Sequence, residues 1–373
     1  MLGPLLPSLM ARWSLSDSEA GALFTAQFLL GVVSSVSVAV LIRRFRAWHL
    51  MTLGYFLCGF GALGLAAPYW QLGFLGTCLY GLGLGLANPT ANLAAAALMP
   101  DRPATALNLL NFFFSIGATL APPVIGVFVD RGISVWFPLA FAIPTLCGAL
   151  LATRLFVADF ESSAARIVEA QPRRPANRFL FAMVCMAMLF VYVGVEVSSG
   201  GWVSTYLQRV VGTNPVLAAS APAALWGSVL ISRLLTVFVL RFASVAVVLL
   251  AGISMALAGC VWMLLVPSPQ SVIAAIALTG LGLGPIFANT LGYFLDHYGK
   301  SADRITGLLF AAGGTGGALL PFVVGRLSDQ TGNLSLALWT IPACTVLMYF
   351  LLAFAVQSRP DRNHAQSSRS ASA

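Results

Sequence analysis

Apolar runs separated by short polar breaks repeat along the chain, near 20–42, 48–67, 71–98, 105–129, 135–156, 179–208, 215–240, 243–266, 271–295, 305–327 and 333–356. At about 1.5 Å rise per residue, each is long enough as a helix to cross a hydrocarbon layer of ~30 Å. The stretches 47–100 and 242–295 contain no Asp, Glu, Lys or Arg. Each is broken near its middle, by Pro68-Tyr69-Trp70-Gln71 and by Pro267-Ser268-Pro269-Gln270, so each reads as two helices joined by a short turn. The pattern predicts an all-α polytopic membrane protein with eleven full spans. A further apolar piece, Met1–Met10, is too short for a span and lacks the basic start of a signal peptide.

Composition agrees with the pattern. Hydrophobic residues make up 59% of the 373 and charged residues only 9%, against about 25% charged in soluble domains. The partner of most of the surface is therefore a lipid bilayer. A net charge of +8 would suit nucleic acid, but its placement argues for topology instead. Arg43, Arg44, Arg46, Arg102, Arg154, Arg166, Arg173, Arg174, Arg178, Arg241, Lys300, Arg304, Arg359, Arg362 and Arg369 fall on one side of the alternating loops. Only Arg12, Arg131, Arg209 and Arg326 fall on the other. That asymmetry puts the first set in the cytoplasm and the protein in the cytoplasmic membrane, without nucleic acid as a partner. Cys58, Cys78, Cys147, Cys185, Cys260 and Cys344 all lie inside spans without Cys-x-x-Cys spacing, and read as buried free thiols. His49, His297 and His364 have no ligand spacing. Neither a metal nor a cofactor is expected.

The chain repeats itself. LYGLGLGLANPTAN (79–92) recurs as LTGLGLGPIFANT (278–290), with Gly81, Gly83 and Gly85 standing 199 residues before Gly280, Gly282 and Gly284. The same offset of 199 aligns Gly117, Pro122, Gly126 and Asp130 with Gly316, Pro321, Gly325 and Asp329. One offset held across two helices and their loop indicates a parallel duplication, the plan of transporters made from two six-helix halves. The expected organisation is an N-terminal bundle (1–157), a cytoplasmic linker (158–178), a C-terminal bundle (179–357) and a disordered cytoplasmic tail (358–373). By the offset Met1 corresponds to Gly200, so Met1–Met10 reads as the exit end of a first helix whose beginning is absent. A bundle of five full helices would expose Gln27, Asn88 and Asn92, and the chain as written is expected to be unstable or inactive.

Two parallel six-helix halves joined by a cytoplasmic linker resemble the major facilitator superfamily. Tyr192-Val193-Gly194-Val195-Glu196, followed by Gly200-Gly201-Trp202 and Tyr206, is similar to the seventh-helix signature of its fucose–proton symporter group, and closest to the branch of sodium–glucose symporter-like proteins. Gly3-Pro4-Leu5-Leu6-Pro7, with Trp13 and Gly21, resembles that group's passage from the first helix to the second. The resemblance implies hexose transport by alternating access, driven by protons or sodium. The chain departs from the group on its fourth helix, where Asn88 stands at the usual acidic position while Asn92 is retained.

Glu196 is the only carboxylate deep in a span. A charged group there costs roughly 2.5–3.5 kcal/mol on insertion scales, which makes it a candidate for carrying the coupling ion. A structural reading also stands: a carboxyl hydrogen-bonded to a helix broken at Ser198-Ser199-Gly200-Gly201. Arg233 is the other isolated intramembrane charge, assigned to an inner gate or to snorkelling toward Arg241. Counting along antiparallel helices separates Arg233 from Glu196 by about 10 Å or more in depth, so no direct pair is expected. Gln27, Asn88, Asn92, Asn111, Asn289 and Thr290 supply hydrogen-bonding groups for a sugar, and Trp202, Tyr206 and Trp226 supply stacking faces. Each Asn could equally join helices. The glycines of 81–85 mimic part of a nucleotide fingerprint, but without a preceding strand they read as close helix packing. No enzyme constellation is present. The expected function is a monomeric secondary carrier for a sugar-like solute coupled to H+ or Na+, with an efflux carrier for an amphipathic compound as the alternative.

Overall fold

The computed structural model describes residues 2–99, 102–155, 179–298 and 303–357, and these form only helices and turns. The expected linker and tail lie outside the described residues. In the first half come α1 (Leu2–Trp13), α2 (Asp17–Leu41), α3 (Ala47–Leu65), α4 (Trp70–Leu98), α5 (Pro103–Asp130) and α6 (Trp136–Leu155). The second half contains α7 (Phe179–Arg209), α8 (Pro215–Ser220), α9 (Pro222–Val239), α10 (Val245–Leu265), α11 (Pro269–Tyr298), α12 (Asp303–Thr331), α13 (Leu334–Leu338) and α14 (Thr340–Gln357).

Among the described residues nine helical segments are long and apolar enough to cross a membrane, fewer than the eleven expected. The difference lies in α4 and α6. The 29 residues of α4 span by length, but Gly, Asn, Thr and Pro89 dilute their apolar character. In α6 only Trp136–Leu150 bears on that count among the described residues, and it falls short of a span. The expected span 215–240 is kinked between α8 and α9, where Pro222 offers no backbone N–H to continue the ladder.

Glycine spacing decides how the bundles pack. Gly81 and Gly85 abut the backbone of Gln27 and Gly31 on α2, while Gly83 abuts Gly54 and Cys58 on α3. In the second half, Gly280 and Gly284 abut Leu225 and Val229 on α9, and Gly282 abuts Gly252 and Ala256 on α10. A Cβ at five of these six would overlap a neighbouring backbone, and at Gly284 it would overlap the Ser232 side chain. Matching cross-helix bonds sit beside them, Ser34 Oγ donating to Leu82 O at 2.9 Å and Ser232 Oγ to Leu281 O at 2.5 Å. The duplication seen in the sequence is thus a repeated packing unit.

The core places the site. One large cluster draws on both halves, from Leu5, Leu6, Leu23 and Phe24 to Val195, Trp202, Tyr206 and Leu225. Two smaller clusters each belong to a single half: Ala47, Met51 and Ala94 in one, and Phe181, Cys185, Phe294 and Leu309 in the other. The bundles therefore share a core at the end carrying Asp17 and Arg209 and keep separate cores at the opposite end.

Candidate functional site

At the shared end the two halves are tied by polar groups. A capping box starts α2: Ser16 Oγ accepts from Glu19 N at 3.2 Å and Glu19 Oε2 accepts from Ser16 N at 2.9 Å. Asp329 at the end of α12 adds a second cap from the other half, its carboxylate accepting from Asp17 N at 3.0 Å and Ser18 N at 2.8 Å. Asp17 itself is buried, pairs with Arg209 at the end of α7, and accepts from Ser328 Oγ at 2.5 Å. Farther along, Thr25 Oγ1 donates to Ala318 O at 2.8 Å. The end is closed by backbone as well: an added Cβ on Gly3 of α1 would overlap Gly200 O on α7.

Glu196 lies one helical turn below that crossing. Tyr192, one turn further, donates its hydroxyl to Glu196 Oε1 at 2.6 Å, and Arg233 Nη2 stands 3.9 Å from the same oxygen. The separation expected between Glu196 and Arg233 does not hold. Side chains lean toward the N-terminus of their own helix, and α7 and α9 run antiparallel, so Glu196 and Arg233 lean toward each other. The lean and the length of the arginine close the gap. The broken-helix reading of Glu196 also fails, because α7 runs unbroken from Phe179 to Arg209. The pair is unevenly covered, the Glu196 side chain 10% exposed and that of Arg233 35%. Tyr192 is fully buried against Phe287 of α11, ring centroids 5.9 Å apart.

The other expected site residues divide. Trp226 is half-buried on the face of α9 that carries Arg233, seven residues or about 10 Å away, and its indole lies beside Gly200. Trp202 and Tyr206 are fully buried and donate to Pro321 O at 3.1 Å and Met263 O at 3.2 Å, so both are packed into the closed end. Asn88 and Asn92 are exposed along α4, and Asn111 is exposed with its amide donating to Leu107 O at 2.9 Å. Gln27 is half-buried. Asn289 is buried and donates to Pro285 O at 2.7 Å. Thr290 is buried and its hydroxyl has no partner among the described residues. All six cysteines are free, but Cys147 is exposed and Cys78 and Cys344 only half-buried, so the expectation of uniformly buried thiols is corrected.

Sequence reasoning missed the Asp17–Arg209–Ser328–Asp329 network and the role of Tyr192 beside Glu196. Both left a signal: Ser16-Asp17-Ser18-Glu19 is a capping-box sequence, and Tyr192 stands four residues before the only deep carboxylate.

Two glycine-threaded helical bundles, sharing a core at one end and parted at the other around an unevenly covered charge pair, define a two-bundle membrane transporter and not an enzyme. The chain matches the model of the Major Facilitator Superfamily over residues 1–321, and it belongs to that family. It is 26% identical over 398 residues to bypass of stop codon protein 6 of Saccharomyces cerevisiae, covering 94% of this chain and 78% of that one. It is 22% identical to the glucose/mannose transporter GlcP of Bacillus subtilis, covering 91% of this chain and 87% of the other. Among solved structures, the E. coli fucose:proton symporter superposes with a TM-score of 0.62 at 19% identity, covering 94% of this chain and 93% of the symporter.

Proposed function

We propose that the protein is a secondary active carrier that moves a sugar across the cytoplasmic membrane by alternating access, with Glu196 exchanging the coupling proton or sodium ion. The observation that carries this reading is the buried Glu196 with its Tyr192 donor and the half-covered Arg233 beside it, where the shared core gives way to two separate ones. An ionisable group at that level meets opposite sides of the membrane as the bundles rock, which is what coupling requires. The sugar assignment draws support from a relative's name, glucose/mannose transporter. The excess of Arg and Lys in the loops nearest Arg43 and Arg241 supports a cytoplasmic location for the parted end, and with it an inward-facing conformation whose outer end is closed.

Reconstitution into liposomes tests the reading. The wild type should accumulate radiolabelled D-glucose under an imposed proton or sodium gradient. Glu196→Gln should lose accumulation and keep counterflow of labelled for unlabelled sugar at saturating sugar concentration. Normal accumulation by Glu196→Gln would remove that carboxyl from coupling. Indifference of the wild type to both gradients would remove coupling altogether.

A further inference from the structure

The ion pair between α7 and α9 is loose. At 3.9 Å it lies beyond hydrogen-bond distance, and Arg233 exposes 35% of its side chain although it sits far from the helix end. A guanidinium has five N–H donors in a fixed fork. The described residues engage this one only through Glu196 and the Tyr192 hydroxyl, so most of the fork has no partner among them. Glu196 commits Oε1 to Tyr192, leaving Oε2 as an acceptor. Next along the same wall, Trp226 offers a half-buried indole whose N–H has no partner among the described residues.

We infer that Arg233 and Glu196 together form the sugar-binding pair, with Trp226 as the stacking face, and that the ligand feature they read is a vicinal diol. Adjacent ring hydroxyls present an acceptor and a donor side by side. Arg233 donates to one oxygen while Glu196 Oε2 accepts from the neighbouring hydroxyl. The sugar thereby replaces a long charge contact with two charge-assisted hydrogen bonds, the stronger kind. Gly200 places the α7 backbone beside this wall: an added Cβ would meet Leu225 Cδ2 at 3.0 Å and the Trp226 indole at an ordinary 3.6 Å. Tyr192 fixes the carboxylate so that the same oxygen always faces the ligand. The inference rests on the sugar reading above and assigns Arg233 a ligand role in place of the gate expected from sequence.

The test is binding of D-glucose and its 2-, 3-, 4- and 6-deoxy analogues to the purified full-length chain by isothermal titration calorimetry. The wild type should lose about tenfold or more in affinity for two deoxy analogues at adjacent carbons, and little for the others. Arg233→Gln should bind D-glucose about tenfold more weakly and become indifferent to one of those two deletions; Glu196→Gln should become indifferent to the other. Arg233→Lys, which keeps the charge but not the fork, should recover only part of the loss, and size-exclusion profiles matching the wild type would show that the variants are folded. Undiminished glucose binding by folded Arg233→Gln, or equal losses for non-adjacent deletions, would overturn the diol pair while leaving the sugar reading intact. Absence of hexose binding by the wild type would overturn both.

Discussion

Two seams join the bundles, and they are built from the same repeat but held differently. Along α2 and α12, Gly325 seats the backbone of Asp17, Gly21 meets Phe322, and Phe28 meets Gly317. Over this contact lie the Asp329 cap, the Asp17–Arg209 pair and the Thr25 bond. Along α5 and α8–α9, Gly126 seats Val216 and Ser220, and Gly227 meets Thr119. No hydrogen bond crosses that second seam among the described residues. The positions correspond at the offset of 199, Gly126 with Gly325 and Val216 with Asp17. Where one seam has a buried aspartate the other has a valine. Asn214 caps its own helix by accepting from Leu217 N at 2.8 Å, so the exposed Asp130 is not needed there. The repeat supplies shape to both seams, and side-chain charge latches only one.

Breaking the latch should have the largest effect. Asp17→Ala removes both acceptors and leaves Arg209 half-exposed, which should weaken the closed end by about 2 kcal/mol after allowing for solvent around the arginine. The measurement is maleimide labelling of Ser204→Cys, a position fully buried at that end. The rate should rise about thirtyfold in the Asp17→Ala background. An unchanged rate would mean that apolar packing alone keeps the end shut. Next comes the glycine pair. Gly325→Ala pushes a Cβ into the backbone of Asp17 and Ser18, whereas Gly126→Ala meets first the movable Ser220 side chain. Thermal unfolding in detergent should show a loss of about 1–3 kcal/mol for Gly325→Ala and clearly less for Gly126→Ala. Equal losses would show that the seams are mechanically equivalent. The smallest effect belongs to the capping charge. Asp329→Asn should cost about 0.5–1 kcal/mol by removing a negative charge from the N-terminus of α2, and Asp130→Asn should be silent in the same melt. A matching loss at Asp130 would place a cap on the second seam as well.

Much of this architecture was legible in the chain. Charge-free runs marked the spans to within a few residues, because lipid leaves helices no alternative partners for their backbone groups. The glycine repeat announced the packing of α4 and α11, since only a small residue lets backbones touch. What escaped was set by geometry between helices distant in sequence. The Glu196–Arg233 pair depended on which way each side chain leans, and depth counted on Cα positions overstated their separation. Trp202 and Tyr206 looked like stacking faces by residue type, yet in this conformation packing at the closed end engages both. Asp17 and Arg209 stand 192 residues apart, and no local pattern links them.

The glycines that let α4 and α11 lie against their neighbours also govern how the molecule can deform. Backbone contact on two sides leaves these helices no soft layer of side chains to shear, so each bundle behaves as a stiff lever arm. With Glu196 at the level where the shared core ends, that carboxyl sits close to the fulcrum. Under the proposed alternating access, widening at one end is matched by closure at the other, and the residue nearest the pivot travels least while its surroundings change most.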